Sequence, residues 1–96
     1  MNEVTDRFAV PASHPSLPGH FPGRPVVPGV VLLDRVFAAA LRAGLPPPAR
    51  IASAKFTRPV LPEETVTLTL RRTPGGRIAF AGSCGDARAF AGEYEP

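Results

Sequence analysis

Val30-Val-Leu-Leu-Asp34-Arg-Val-Phe-Ala-Ala-Ala-Leu-Arg-Ala43 is a helix that cannot stand alone. It is entered after Pro28-Gly29, stopped by Gly44 and the run Pro46-Pro47-Pro48, and reads as the only helix of the chain. Arg35 and Arg42 share one narrow face, while Val30, Leu33, Val36, Phe37, Ala40 and Leu41, with Val31, Leu32, Ala38 and Ala39, cover nearly everything else. Such a helix must be wrapped. Asp34 lies about 100° round from the arginine stripe, one turn from Val30, Phe37, Ala38 and Leu41, so its carboxylate is expected to be partly desolvated.

The flanking sequence supplies the wrapping. Glu3 to Val10 reads as a first strand with Val4, Phe8 and Val10 on one face, and Ile51 to Arg58 as a second. Glu64 to Arg72 alternates Thr65, Thr67, Thr69 against Val66, Leu68, Leu70. Pro74-Gly75-Gly76 then turns the chain into Arg77 to Ser83, and Gly85-Asp86 turns it again into Ala87 to Ala91. These hairpin signals predict an antiparallel meander. One apolar helix with four or five antiparallel strands is an α+β arrangement, the sheet curled round the helix. No repeat, linker or second domain interrupts residues 1–96, which are expected to form a single domain.

A chain of 96 residues builds one small core, and a partner subunit would help it. The 13 prolines and 9 glycines fall in short punctuating clusters, which argues against disorder. The formal charge of +3 is carried almost wholly by arginine, Lys55 being the only lysine. Those arginines are scattered rather than stacked in a run, so a protein or small-molecule partner is expected and nucleic acid is not. Cys84 is alone, which fits a reducing compartment and a small buried side chain better than a catalytic thiol. The N-terminus lacks a signal-peptide pattern and no apolar run reaches membrane-span length, so a soluble cytoplasmic protein is expected.

The chemistry concentrates between His20 and Asp34. Pro22, Pro25 and Pro28 recur at every third position and stiffen the loop, while Gly23 and Gly29 allow close backbone approach. His20 on that loop and Asp34 on the helix can serve as base and acid in one site. Gly29 stands where free N–H groups and the positive helix end converge, so its N–H could hold a carbonyl oxygen that gains charge. Spacing alone leaves plainer readings open: His20 capping a turn, Asp34 pairing with a strand arginine, Gly29 serving only the turn. The Pro-x-x-Pro pattern feeds an apolar helix, unlike an exposed polyproline ligand. His14 and His20 have no further ligands at metal-site spacing, so no metal is expected. Pro59-Val-Leu-Pro62-Glu63-Glu64 reads as a structural corner.

His20-Phe21-Pro22-Gly23-x-Pro25-x-x-Pro28-Gly29-Val30, with an acid at Asp34, resembles the signature of the hot-dog-fold 3-hydroxyacyl-[acyl carrier protein] dehydratases. The stretch Ile51-Ala-Ser-Ala-Lys-Phe-Thr-Arg-Pro-Val-Leu-Pro62 is similar to that family's K-F-x-R-P-V-x-P strand. The resemblance implies a curved sheet round a central helix, two subunits joining their sheets, and a site at their interface. It puts His20 in the place of the catalytic base and Asp34, from the other subunit, in that of the acid, with the Gly29 N–H polarising a thioester carbonyl. The implied reaction, that of a lyase, is loss of water from a 3-hydroxyacyl thioester to give a trans-2-enoyl thioester, in fatty acid or polyene synthesis. No cofactor is implied, because the thioester already acidifies C2. Phe21, Val31, Leu33 and Phe37 become candidate walls of an acyl tunnel, and Arg24, Arg58 and Arg72 candidate contacts for an acidic acyl carrier protein.

Typical members of that family have an additional N-terminal segment before the strand that here starts at Glu3. The chain therefore resembles the short members found with aryl-polyene synthesis systems, some of which pair with a longer hot-dog subunit. A homodimer or such a heterodimer is expected. Two alternatives stand beside the dehydratase: a non-catalytic hot-dog subunit that binds acyl carrier protein or completes a partner's site, and a hot-dog acyl thioesterase.

Overall fold

The computed structural model describes residues 3–15 and 26–96. Its elements are β1 (Glu3–Phe8), α1 (Gly29–Arg42), β2 (Arg50–Phe56), β3 (Val66–Arg72), β4 (Ile78–Cys84) and β5 (Ala87–Glu95). The helix starts and ends within one residue of the expected bounds. Pro28 sits just outside it in extended conformation, and its carbonyl accepts the first intrahelical bonds, from the N–H groups of Val31 and Leu32. At the other end Gly44 takes φ +80°, the left-handed conformation that glycine adopts at no steric cost. Leu45 N–H then reaches the Ala40 carbonyl at 2.9 Å and Gly44 N–H the Leu41 carbonyl at 3.1 Å, a Schellman ending that satisfies two orphan carbonyls.

All strand pairings are antiparallel, in the order β1-β3-β4-β5-β2. The meander expected from the hairpin signals is confined to β3-β4-β5; β1 adds to one side beside β3 and β2 to the other beside β5. Turn chemistry explains the local part. Gly76 at φ +87° closes the β3–β4 turn, and Gly85 at φ +60° opens the two-residue β4–β5 turn. Strand β5 runs four residues past the expected Ala91 because Tyr94 is fully buried and donates its hydroxyl to the Pro46 carbonyl at 2.7 Å. β3 begins at Val66 rather than Glu64, since Glu63 and Glu64 belong to the preceding corner.

Alternation then does the packing. Val66, Leu68 and Leu70 of β3, Ile78 and Phe80 of β4, and Phe90 and Tyr94 of β5 are buried together with Val31, Leu32, Val36, Ala39 and Ala40 of α1. Phe37 meets Tyr94 edge-on, with ring centroids 5.7 Å apart. Glycines at two inward positions make room for aromatic rings: a Cβ on Gly82 would strike the Phe90 ring, and one on Gly92 would strike the Ser53 carbonyl and the Phe80 ring. On β1, Val4, Asp6 and Phe8 face inward. There Asp6 pairs with Arg42 at 2.6 Å and Phe8 lies 5.8 Å below the Arg35 guanidinium, so the arginine stripe of the helix is spent on β1. The sheet thus wraps the apolar helix as expected, but leaves one side of it uncovered. Val30 is 72% exposed and Leu41 57%, and edge strand β2 exposes Ile51 and Phe56.

Candidate active site

The first turns of α1 divide two concavities. On one side a hollow of about 370 Å³ is lined by His14, Val30, Val31, Leu33, Asp34, Phe37 and Ile51. On the other, a hollow of about 550 Å³ runs under Gly29, bordered by Val26, Val27, Leu32, Phe56 and the Thr57–Val60 segment. Asp34, Val31, Leu33 and Phe37 therefore share one cavity wall, with Gly29 round the helix from them. His20 and Phe21 lie outside the described residues, as does Arg24.

The expected desolvation of Asp34 is not supplied by the described residues. The residue is exposed, although its neighbours along the hollow are aliphatic and aromatic. The helix leans the wrong way for self-burial: its deepest residues, Val36 and Ala40, lie towards the sheet, and Asp34 faces the uncovered side with Val30. Among the described residues the arginine ion pairs engage Asp6, Glu64, Glu93 and Glu95, and not Asp34.

The helix entrance is electrostatically open. Pro28 gives it no side-chain cap, and no acidic residue occupies its first turn. The N–H groups of Gly29 and Val30 have no acceptor within the helix, as the geometry of any first turn requires, so the positive end of the dipole is available to a negative oxygen. The space above Gly29 is tight: a Cβ at position 29 would lie 3.0 Å from Cζ of Phe56 and 3.2–3.3 Å from its Cε atoms, so the ring would have to shift slightly to admit one.

A corner holds the loop that leads to this entrance. Val27 N–H donates to the Val60 carbonyl at 2.8 Å, and Glu63 N–H to the Val10 carbonyl at 2.8 Å. Arg58 grips Glu64 with both terminal nitrogens, at 3.1 and 2.6 Å, and Glu64 also accepts the Leu61 N–H at 3.1 Å. Those bonds hold the Glu64 carboxyl down at about 2, against an ordinary 4.5. Arg58 is thereby engaged inside the corner, whereas Arg72 is exposed. Cys84 is buried as expected, and burial, followed by the charge of Glu64, pushes its thiol up. His14 was read from the sequence only as an incomplete metal ligand; what could have flagged it is its place beside Pro15 in the same proline-punctuated loop as His20.

Comparison with known proteins agrees with this architecture. Residues 1–93 match the ApeI-like family, described as ApeI dehydratase. A 3-hydroxyacyl-[acyl-carrier-protein] dehydratase FabZ from Desulforamulus reducens is 38% identical over 88% of this chain, and one from Verminephrobacter eiseniae is 39% identical over 88%. The chain spans about two-thirds of the length of these relatives, 63% of the first and 67% of the second. Among solved structures, a chain of the dehydratase heterocomplex ApeI:P from Xenorhabdus doucetiae superposes with a TM-score of 0.84 over 98% of this chain and 86% of that one, at 24% identity, a likeness of fold. No helix of the described residues is long and apolar enough to cross a membrane. With its wrapped helix, its Pro28-Gly29 helix entrance and an acid five residues on, the chain belongs to the ApeI-like family of hot-dog dehydratases.

Proposed function

We propose that the chain removes water from 3-hydroxyacyl thioesters carried on acyl carrier protein, with His20 as base and Asp34 as acid. His20 takes the C2 proton. The charge that moves onto the thioester oxygen is held by the Gly29 N–H at the uncapped helix entrance. Asp34 gives its proton to the 3-hydroxyl, which leaves as water, and the C2–C3 double bond closes. The proton gained by His20 and the one lost by Asp34 balance through solvent before the next turnover. The carrying observation is the position of Asp34: a carboxylate on an otherwise apolar wall formed by Val30, Val31, Leu33 and Phe37. Such a wall suits an acyl chain with one polar centre.

The uncovered side of the helix favours assembly. Val30, Ile51 and Phe56 are 72%, 40% and 45% exposed beside the unpaired edge of β2. A second hot-dog subunit, a copy or a longer relative, would add a strand there, desolvate Asp34 and bring its own loop to the hollow. The test is enoyl formation from a 3-hydroxyacyl carrier-protein thioester. Turnover should fall by at least ~100-fold in His20→Ala and in Asp34→Asn; normal turnover in either would remove that residue from the mechanism. A chain inactive by itself, but restoring activity to a longer hot-dog subunit even as Asp34→Asn, would mean a non-catalytic subunit. Release of free thiol without enoyl product would mean a thioesterase.

A further inference from the structure

We infer that His14 is a substrate-facing residue of the Asp34 hollow, where it accepts the O–H of a 3-hydroxyl group, and that Glu63 is the positioning residue that holds it there. The inference rests on the dehydratase reading. Among the described residues, His14 and Asp34 are the polar side chains lining this hollow; Val30, Val31, Leu33, Phe37 and Ile51 offer only apolar contact. A hydroxyl group seated there has an oxygen to be protonated and a hydrogen to be donated, and leaving either unpaired in an apolar recess is costly. Asp34, as the acid, serves the oxygen. An imidazole nitrogen without a proton is an acceptor, and His14 can take the hydrogen. The leaving group is then oriented from both sides.

The placement of His14 is built from a distance. Its N–H closes a turn onto the Pro11 carbonyl at 3.0 Å, and the Ala12 N–H inside that turn donates to Oε2 of Glu63, 51 residues away, at 2.8 Å. Glu63 in turn donates its own N–H to the carbonyl of Val10, which is fully buried. Glu63 does this at φ +67°, the one non-glycine residue in the left-handed region among the described residues. That conformation is unfavourable for a long side chain and persists where the surroundings require it. Here it points both the N–H and the carboxylate of one residue at the segment that leads to His14.

The test compares binding of two unreactive pantetheine analogues, amide in place of thioester, one with a 3-hydroxyl and one saturated at C3. The parent protein should prefer the hydroxylated analogue by ~10-fold. His14→Phe should abolish that preference, and His14→Gln, which keeps an acceptor, should retain most of it. Glu63→Gly keeps the backbone conformation and loses the carboxylate, so it should lower the preference without lowering Tm; Glu63→Gln should retain it. The sequence contains 2 histidines, so His14→Gln also assigns the His14 ring signal in an NMR spectrum, which should move with the hydroxylated analogue and not with the saturated one. An unchanged preference in His14→Phe, or a His14 signal that ignores the hydroxylated analogue, overturns the inference while leaving the dehydratase reading intact. Absence of enoyl product together with a responsive His14 signal would overturn the dehydratase reading and keep the hydroxyl contact.

Discussion

Replacing Gly29 by proline isolates one hydrogen. Proline is well suited to the first helical position, whose N–H has no helical acceptor. The residue before a proline must be extended, and Pro28 already has φ −61° and ψ 146°. The new ring meets Phe56 at 3.0–3.3 Å from its Cβ, a contact relieved by a small movement of a side chain that is 45% exposed. The unfolded chain loses freedom worth ~0.4–1 kcal/mol, which offsets that crowding, so Tm should stay within about 5 °C. If the Gly29 N–H holds the developing oxyanion, kcat should nevertheless fall by ~100- to 1,000-fold, or ~3–4 kcal/mol of transition-state stabilisation. Gly29→Ala is the control, because it brings the same Cβ against Phe56 and keeps the N–H; it should retain activity within a few-fold. Steady-state enoyl formation and a melting curve on both variants decide the matter. Full kcat in the proline variant refutes the oxyanion role, and equal losses in both variants assign the effect to crowding of Phe56.

Three further outcomes follow from other parts of the fold. Glu64→Gln removes the charge that Arg58 grips; the fall of the carboxyl from 4.5 to about 2 is worth ~3 kcal/mol at face value, and with side chains 34% and 26% exposed solvent reduces this to ~1–1.5 kcal/mol. A depressed carboxyl stabilises the fold above its unfolded value, so the deficit should be complete above about pH 4.5 in urea titrations and vanish as pH falls towards 2; a difference independent of pH would assign it to packing. Gly92→Ala forces a Cβ into the Ser53 carbonyl and should cost ~3 kcal/mol, whereas Gly75→Ala, whose nearest neighbour is Thr73 Oγ1 at 3.8 Å, should be silent in the same titration. Val30→Glu combined with Ile51→Glu alters residues already 72% and 40% exposed, so it should leave the subunit folded yet weaken its association by at least ~10-fold in sedimentation; a parent protein that sediments as a monomer both alone and mixed with a longer hot-dog subunit would overturn the interface.

Local periodicity made α1 and the inward faces of β3 and β4 legible, because apolar residues recur there at helical and two-residue spacing with glycine and proline at the ends. The lateral order of the strands was not legible. Nothing in Arg50–Phe56 marks it as a neighbour of β5, since that choice is made by Phe56 against Phe90 and Ile51 opposite Tyr94, contacts between distant segments. The end of β5 was missed because Gly92-Glu-Tyr-Glu looks like a polar tail until Tyr94 finds Pro46. At the candidate site, Asp34 stood out as a carboxylate among aliphatic neighbours. Its exposure did not, because a helix apolar all round does not reveal which side a partner covers. Glu63 and His14 were hidden for a similar reason: one reads as a surface acid, the other as a loop histidine, until a bond spanning 51 residues ties the segment of one to the carboxylate of the other.

The strand order also dictates a sequence of events in time. Strands β3, β4 and β5 are joined by tight turns and can pair as soon as they exist, whereas β1 aligns Glu3 with Arg71 and β2 aligns Arg50 with Glu95. Closing such long loops is slow compared with zipping a hairpin. Synthesis runs the opposite way, delivering β1, the apolar helix and β2 before either strand has its partner. Pulse-labelled hydrogen exchange should therefore protect Leu68, Phe80 and Phe90 ahead of Thr5 and Ala54, and simultaneous protection would contradict this order. The half of the chain that carries the proposed acid is made first and closes last, with its apolar helix waiting for cover in between.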